Sequence, residues 1–151
     1  MKYISGYLAF TQHADDEEMS CGVWNFDPSI FEHIEDYMRE SDDFPYKDIH
    51  IKRAMLNTMD DSEIYDIANH ARAYCDLLIE HQFDLLKGFF DMNIRDSATA
   101  HEIFSMCENY ALFEDREILV FMVKEFGSNL RSFLLLYGYD KSLREVLDVT
   151  L

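Results

Sequence analysis

Carboxylates are the residues of this chain whose number and spacing could do chemistry. Aspartate and glutamate number 30 against 13 lysines and arginines, which gives a formal net charge of −17 over 151 residues. A helix rises about 1.5 Å per residue, so carboxylates three or four positions apart lie about 5–6 Å from one another along its axis. Duplex DNA carries its phosphate charges at a comparable density. An exposed row of carboxylates on a rigid helix can therefore present a phosphate-like field.

Acidic residues form four groups in the sequence. The most regular group lies along a helix predicted over 28–38. That helix begins at Asp27 and Pro28, which suit the cap and the first helical position. We predict that the four groups bind a partner; they are Asp15, Asp16, Glu17 and Glu18, then Glu32, Glu35, Asp36 and Glu40, then Asp42 and Asp43, then Asp60 and Asp61. The alternative for any single group is an ordinary solvated face.

Metal chemistry has weaker support in the six histidines. His101 and Glu102 begin a zinc-protease HExxH pattern, but position 105 is serine. Asp66 and His70 lie four apart on a predicted helix and could touch there, although a surface ion pair explains them more simply. We therefore predict no metal and no other cofactor, and we keep a metal-dependent enzyme built on Asp66 and His70 as a third hypothesis.

Nucleophilic and phosphate-binding motifs are missing from the sequence. It contains no GxSxG elbow, no GxxxxGK[ST] loop and no GxGxxG turn. Cys75 lies between His70 and His81 at intervals that do not face one another on a helix, and it belongs to an apolar stripe. We predict a buried structural thiol at this position and a protein that is not an enzyme.

The charge itself indicates the class of partner. Binding DNA requires lysines and arginines to replace condensed counterions, so a chain of this charge should repel nucleic acid and anionic membranes. A small domain needs a charge magnitude of only roughly 2–8 for solubility, and the excess costs stability through self-repulsion. The first hypothesis is a non-enzymatic inhibitor that occupies a basic, nucleic-acid-binding surface of a bacterial restriction or CRISPR complex by DNA mimicry. The alternative is an immunity protein that neutralises a basic nuclease toxin.

The chain is 48% apolar and 15% aromatic, which is enough to form a hydrophobic core. We therefore expect a folded domain to position the acidic residues. We predict an α+β fold with a small N-terminal β-hairpin or sheet, followed by a mostly helical body of short antiparallel helices. It forms a single acidic domain over 1–151, either as one unit or as an α/β part (1–58) packed on a helical part (59–151). The predicted strands cover 2–10, 19–26 and, at an edge, 48–53.

The helix predicted over 63–80 has the clearest periodicity, after a capping-box-like start at Asp60, Asp61, Ser62 and Glu63. Its outer face should carry Arg72 and Asp76. Further helices are predicted near 83–92, 97–109, 114–126, 129–137 and 141–148, with Gly127 as a C-terminal cap. Periodicity predicts a core that includes Trp24, Phe26, Phe31, Ile34, Ile64, Ile67, Ala71, Leu78, Leu85, Phe104, Leu119 and Phe133.

Location follows from the same composition. Cys21, Cys75 and Cys107 are odd in number and form no CxxC pair, which is typical of reduced thiols in the cytoplasm. We expect a cytoplasmic protein with neither a targeting segment nor a membrane span.

Parts of the sequence resemble the ArdA-type antirestriction proteins, which are acidic DNA mimics. The likeness lies in an opening strand within 3–10, then a second strand with Gly22, Val23 and Trp24, then an acidic helix. The segment FFDMNIRDSATAHEIFSMCENYALFED (89–115) is similar to a later acidic helical segment of that family, whereas residues 44–57 depart from its pattern. The resemblance implies a homodimeric inhibitor of type I restriction enzymes and assigns no individual binding residue.

Overall fold

The structure is a computed structural model that describes residues 1–12, 28–56, 63–89, 97–127 and 130. Its described strands form one sheet in the order β2–β1–β4–β3. They are β1 (Lys2–Ile4), β2 (Met38–Glu40), β3 (Ile51–Met55) and β4 (Ile64–Ala68). β1 pairs antiparallel with β2 and parallel with β4, and β3 pairs antiparallel with β4. The sheet thus joins segments on both sides of residue 58.

The described helices, together with this sheet, confirm the α+β class. The α-helices are α1 (Gly6–Phe10), α2 (His70–Ile79), α3 (Phe83–Leu86), α4 (Ser97–Asn109) and α5 (Arg116–Phe126). Within the described residues, three segments are 3₁₀-helices, namely Pro28–Tyr37, Ser41–Asp43 and Leu112–Glu114. The predictions for 97–109 and for the helix ending at Gly127 are confirmed, and the edge strand predicted over 48–53 is confirmed as β3 with later bounds.

The strand predicted over 2–10 is wrong beyond Ile4, because Gly6 turns the chain into α1. Gly6 has φ +63°, a left-handed backbone conformation that residues with a Cβ avoid. β1 also has β2 on one side and β4 on the other. It therefore does not pair with a strand at 19–26, as the predicted hairpin required. The other strand of that hairpin, 19–26, lies outside the described residues.

The helix predicted over 63–80 is also wrong in its first third, where β4 stands. Five register positions pair β4 with β3, from Ile51 opposite Ala68 to Met55 opposite Ile64. The helix begins instead at His70, because the Asn69 side chain accepts a hydrogen bond from the Arg72 backbone N–H at 2.9 Å. The acids proposed as a cap at Asp60 and Asp61 lie outside the described residues.

The core lies where α1, α2, α4 and α5 pack together and on the sheet. Of the predicted core residues, Ile67, Ala71, Leu78, Phe104 and Leu119 are buried, and Phe31 and Ile34 are half-buried. Ile64 and Leu85 are wrong, since they are 58% and 54% exposed. Trp24, Phe26 and Phe133 lie outside the described residues. None of the described helices combines the length and apolar character that a membrane crossing requires.

Candidate functional site

A cleft of about 950 Å³ opens between the 3₁₀-helix Pro28–Tyr37 and the β2–β1–β4 face. This helix is two short turns, since the backbone leaves helical geometry at His33 (φ −123°, ψ 36°). The second turn ends at Tyr37 and is followed directly by β2. The cleft is lined by Lys2, Phe31, Glu32, His33, Ile34, Glu35, Asp36, Met38, Arg39, Glu40 and Tyr65.

All four carboxylates of the most regular predicted group line this cleft. Their predicted arrangement along one α-helical face is wrong, because the segment is a kinked 3₁₀-helix and Glu40 lies on β2. The kink at His33 lies between Glu32 and Glu35, so these two side chains do not belong to one regular helical face. The cleft nevertheless brings Glu32, Glu35, Asp36 and Glu40 together, as a concave rather than a ridge-like acidic surface.

Three of these carboxylates have no partner within the described part of the chain. Glu32, Glu35 and Asp36 are exposed, and neither a hydrogen bond nor an ion pair to a described residue engages their side chains. Glu40 differs, since it pairs with the N-terminal ammonium of Met1. That hydrogen bond lowers the pKa of Glu40 and raises the pKa of the Met1 ammonium.

The positive charges of the cleft lie on the strand side. Arg39 on β2 donates from Nε to Glu80 Oε2 at 2.8 Å, and from Nη1 to the carbonyls of Asp36 and Met38 at 2.9 and 3.0 Å. It is therefore already committed to partners within this chain. Lys2 on β1 acts electrostatically on Glu40 and lowers the pKa of that carboxyl. The carboxylates on the 3₁₀ side are left uncompensated by contrast.

Apolar side chains form the floor beneath the carboxylates. Phe31, Ile34, Met38 and Tyr65 line the cleft, are half-buried and pack against the core cluster. The site therefore offers negative charge at its rim and apolar surface at its base.

The other predicted partner-binding residues are distributed differently. Asp42 and Asp43 are exposed in the 3₁₀ turn that follows β2, and they do not line the cleft. The Asp42 backbone carbonyl accepts a hydrogen bond from Lys47 Nζ at 3.1 Å. Asp15, Asp16, Glu17, Glu18, Asp60 and Asp61 lie outside the described residues.

The metal pair proposed from sequence does not form. Asp66 lies on β4, whereas His70 is the first residue of α2 and is only 2% exposed. His70 Nε2 lies 2.6 Å from the Gln12 carbonyl oxygen, and burial lowers the pKa of this imidazole. The expectation of a surface ion pair between them is wrong for the same reason.

A different histidine, His81, lies between the carboxylates of Asp115 and Glu117. The sequence analysis did not predict this arrangement. His81 Nε2 is 2.7 Å from Asp115 Oδ2, and its Nδ1 is 3.0 Å from Glu117 Oε2. The ligand atoms lie within 4.8 Å of one another, a spacing that would admit a cation. The positive N-terminal end of α5 disfavours a cation there, and the contacts are those of an imidazole held between two carboxylates.

The sequence pattern also did not predict a buried polar cluster that contains Arg72 and Asp76. It placed both residues on the outer face of their helix. Both are fully buried, so that expectation is wrong. Asp76 accepts hydrogen bonds from Tyr3 and Ser5 at 2.5 Å and from the Tyr46 hydroxyl. Burial raises the pKa of Asp76, and these hydrogen bonds together with the Arg72 charge act in the opposite direction.

Arg72 completes this cluster and holds the chain between 44 and 50 against α2. Its guanidinium lies 4.4 and 4.7 Å from the ring centres of Tyr3 and Tyr46, distances typical of cation–π contacts. Its Nη1 donates to the carbonyls of Lys47 and Ile49. A cluster with this degree of burial is a structural element rather than an open site. The hydroxyls and charges meet across separations as large as 73 residues, which no local pattern signals.

No protein family model, curated protein or solved structure matches this chain.

Proposed function

We propose that this chain is a non-enzymatic inhibitor that occupies the basic, nucleic-acid-binding surface of a bacterial defence complex, of the restriction or CRISPR type, in place of DNA. The observation that carries the proposal is a net charge of −17 on a chain whose described residues build a well-packed core. Negative charge on a folded scaffold is fixed in space, and it can match the fixed cations of a nucleic-acid-binding surface.

The acidic cleft supports this proposal through its uncompensated charge. Glu32, Glu35 and Asp36 are exposed and available to cations of another molecule. Attraction between complementary charges raises the association rate, and salt screens this attraction. Arg39 is occupied by Glu80 and backbone carbonyls. It therefore does little to neutralise the carboxylates on the 3₁₀ side of the cleft.

The positions of two strongly perturbed titratable groups among the described residues are consistent with a role without catalysis. Tyr3 and Tyr46 have pKa values well above the ordinary range because of burial and the nearby Asp76. They are 0% and 1% exposed, so no substrate reaches them from solvent. Catalytic groups with shifted pKa values need such access. We place the encounter in the cytoplasm, where the free thiols of Cys75 and Cys107 would remain reduced.

Affinity capture tests the proposal directly. The full-length tagged chain is incubated with bacterial lysates that contain restriction, CRISPR and nuclease complexes, and bound proteins are eluted with a salt gradient. We expect nucleic-acid-binding proteins that elute steeply with salt. Capture of proteins without a basic surface, or salt-insensitive capture, would contradict the proposal, and capture of a nuclease toxin alone would assign the immunity role instead.

A further inference from the structure

The shape of the cleft narrows the kind of partner element that can enter it. A DNA duplex is convex as a whole, but its grooves are concave and are bordered by phosphates. The major groove is about 12 Å wide and admits a helix or a two-stranded ribbon, with base edges and thymine methyl groups at its floor. The cleft of this chain resembles such a groove in one respect. Its negative charges lie at the rim, as the phosphates do, and its apolar side chains lie at the base, as the methyl groups do.

We infer that the cleft receives a protruding basic segment of the partner, a helix or loop in which arginines or lysines flank one apolar side chain. The inference rests on the proposed function and specifies the partner chemistry at one site. Charge complementarity selects the cations, since Glu32, Glu35 and Asp36 have no described partner. The half-buried floor at Phe31, Ile34, Met38 and Tyr65 selects the apolar side chain.

Size and charge also set the orientation of this segment. A cleft of about 950 Å³ is at the upper end of the range for small-ligand pockets, about 300–1,000 Å³, and accommodates several side chains at once. Its cations Lys2 and Arg39 lie on the strand side, whereas its uncompensated acids lie on the 3₁₀ side. The partner's basic side chains therefore face Glu32, Glu35 and Asp36, and its apolar side chain lies over the floor between the two sides.

Two synthetic peptides of equal charge test the need for the apolar side chain. One carries a central tryptophan flanked by arginines, and the other carries serine in place of the tryptophan. Fluorescence anisotropy measures their binding to the unmodified full chain. Because burial of a large apolar side chain adds to the charge term, we expect the tryptophan peptide to bind about tenfold more tightly. Equal affinities would overturn the inference.

Two matched triple variants test the location. Glu32→Gln, Glu35→Gln and Asp36→Asn remove three charges from the cleft. Asp84→Asn, Glu108→Gln and Glu114→Gln remove three charges from exposed positions outside it. We expect the cleft variant to bind the tryptophan peptide about tenfold more weakly, and the control variant to lose about twofold or less. Far-UV circular dichroism and urea unfolding establish that both variants fold.

Equal losses in the two variants would overturn the inference, because binding would then depend on net charge alone. This failure is distinguishable from failure of the proposed function. If the chain captures nucleic-acid-binding proteins while both variants behave alike, the cleft is excluded and the function stands. If the peptides bind at the cleft as expected but captured proteins lack basic surfaces, the function is excluded and the cleft remains a basic-segment site.

Discussion

Removal of the Tyr46 hydroxyl should destabilise the protein much more than removal of the Tyr74 hydroxyl. Both side chains are buried, at 1% and 0% exposure. The Tyr46 hydroxyl donates to the Asp76 carboxylate, whereas the Tyr74 hydroxyl has no hydrogen-bond partner among the described residues. Tyr→Phe keeps each ring, including the contact of Tyr46 with the Arg72 guanidinium at 4.7 Å. The comparison therefore isolates one hydrogen bond.

The size of the difference follows from the environment of each hydroxyl. A hydrogen bond to a charged group contributes about 1.5–3 kcal/mol, so Tyr46→Phe should lower the free energy of unfolding by that amount. A buried hydroxyl without a partner carries a desolvation cost of about 1–3 kcal/mol, so Tyr74→Phe should be neutral or stabilising by about 1 kcal/mol. The two variants should then differ by roughly 1.5–4 kcal/mol.

Urea unfolding followed by circular dichroism measures this difference directly. An unchanged denaturant slope would show that both variants unfold from the same compact state. Free energies of unfolding that agree within about 0.5 kcal/mol would refute the role assigned to the Asp76 cluster. A loss confined to Tyr74→Phe would also refute it.

Three further predictions concern other parts of the fold. Asp115 caps α5 through the backbone N–H groups of Glu117 and Ile118, so Asp115→Ala should lower the free energy of unfolding by about 1 kcal/mol at neutral pH. Although burial opposes it, the hydrogen bonds from His81 and the backbone hold the pKa of Asp115 below its ordinary value. The ionised carboxylate therefore stabilises the fold above its unfolded pKa of about 3.9, and the difference from Asp115→Ala should shrink as pH falls through the lower folded value; a constant difference in urea unfolding from pH 7 to acid would contradict this. Gly6→Ala should cost about 1–2 kcal/mol in the same assay through its left-handed backbone alone, because the added Cβ would meet its nearest neighbours at 3.8 Å; an unchanged stability would contradict the assigned backbone. Burial raises the pKa of the Cys75 thiol, so iodoacetamide should modify it only after unfolding, and mass spectrometry that detects rapid native labelling would show the packing to be wrong.

Local signals sufficed wherever one element carries its own start and stop. Gly127 follows the last residue of α5 and is its C-terminal cap, and the apolar spacing of α4 matches its helix over Ser97–Asn109. The exposure of Glu32, Glu35 and Asp36 also follows from their charge. These features depend on neighbours within a few positions, which the sequence displays directly.

Features that depend on distant partners were not accessible in the same way. The segment at β4 has apolar residues at helical spacing, yet pairing with β3 and β1 makes it a strand. Arg72 and Asp76 are charged, and charged residues are seldom fully buried unless they are paired. Their partners Tyr3 and Tyr46 come from separate parts of the chain, so burial was unpredictable from local pattern.

The acidic site shows both outcomes at once. Their spacing on a predicted helix indicated that Glu32, Glu35, Asp36 and Glu40 belong together, and all four line one cleft. The predicted surface was a helical ridge, whereas the kink at His33 and the strand position of Glu40 produce a concavity. Backbone geometry within the 3₁₀ segment decides this shape, and a helical pattern of apolar residues does not distinguish it from an α-helix.

Competition with DNA tests the central claim most directly. A captured partner is first loaded with fluorescently labelled duplex DNA, and the full chain is then titrated at fixed low salt. If this chain occupies the nucleic-acid-binding surface, the wild-type chain releases the DNA completely, and the variant with Glu32→Gln, Glu35→Gln and Asp36→Asn requires about tenfold more protein. A ternary complex, in which the chain binds while the DNA stays bound, would contradict the account.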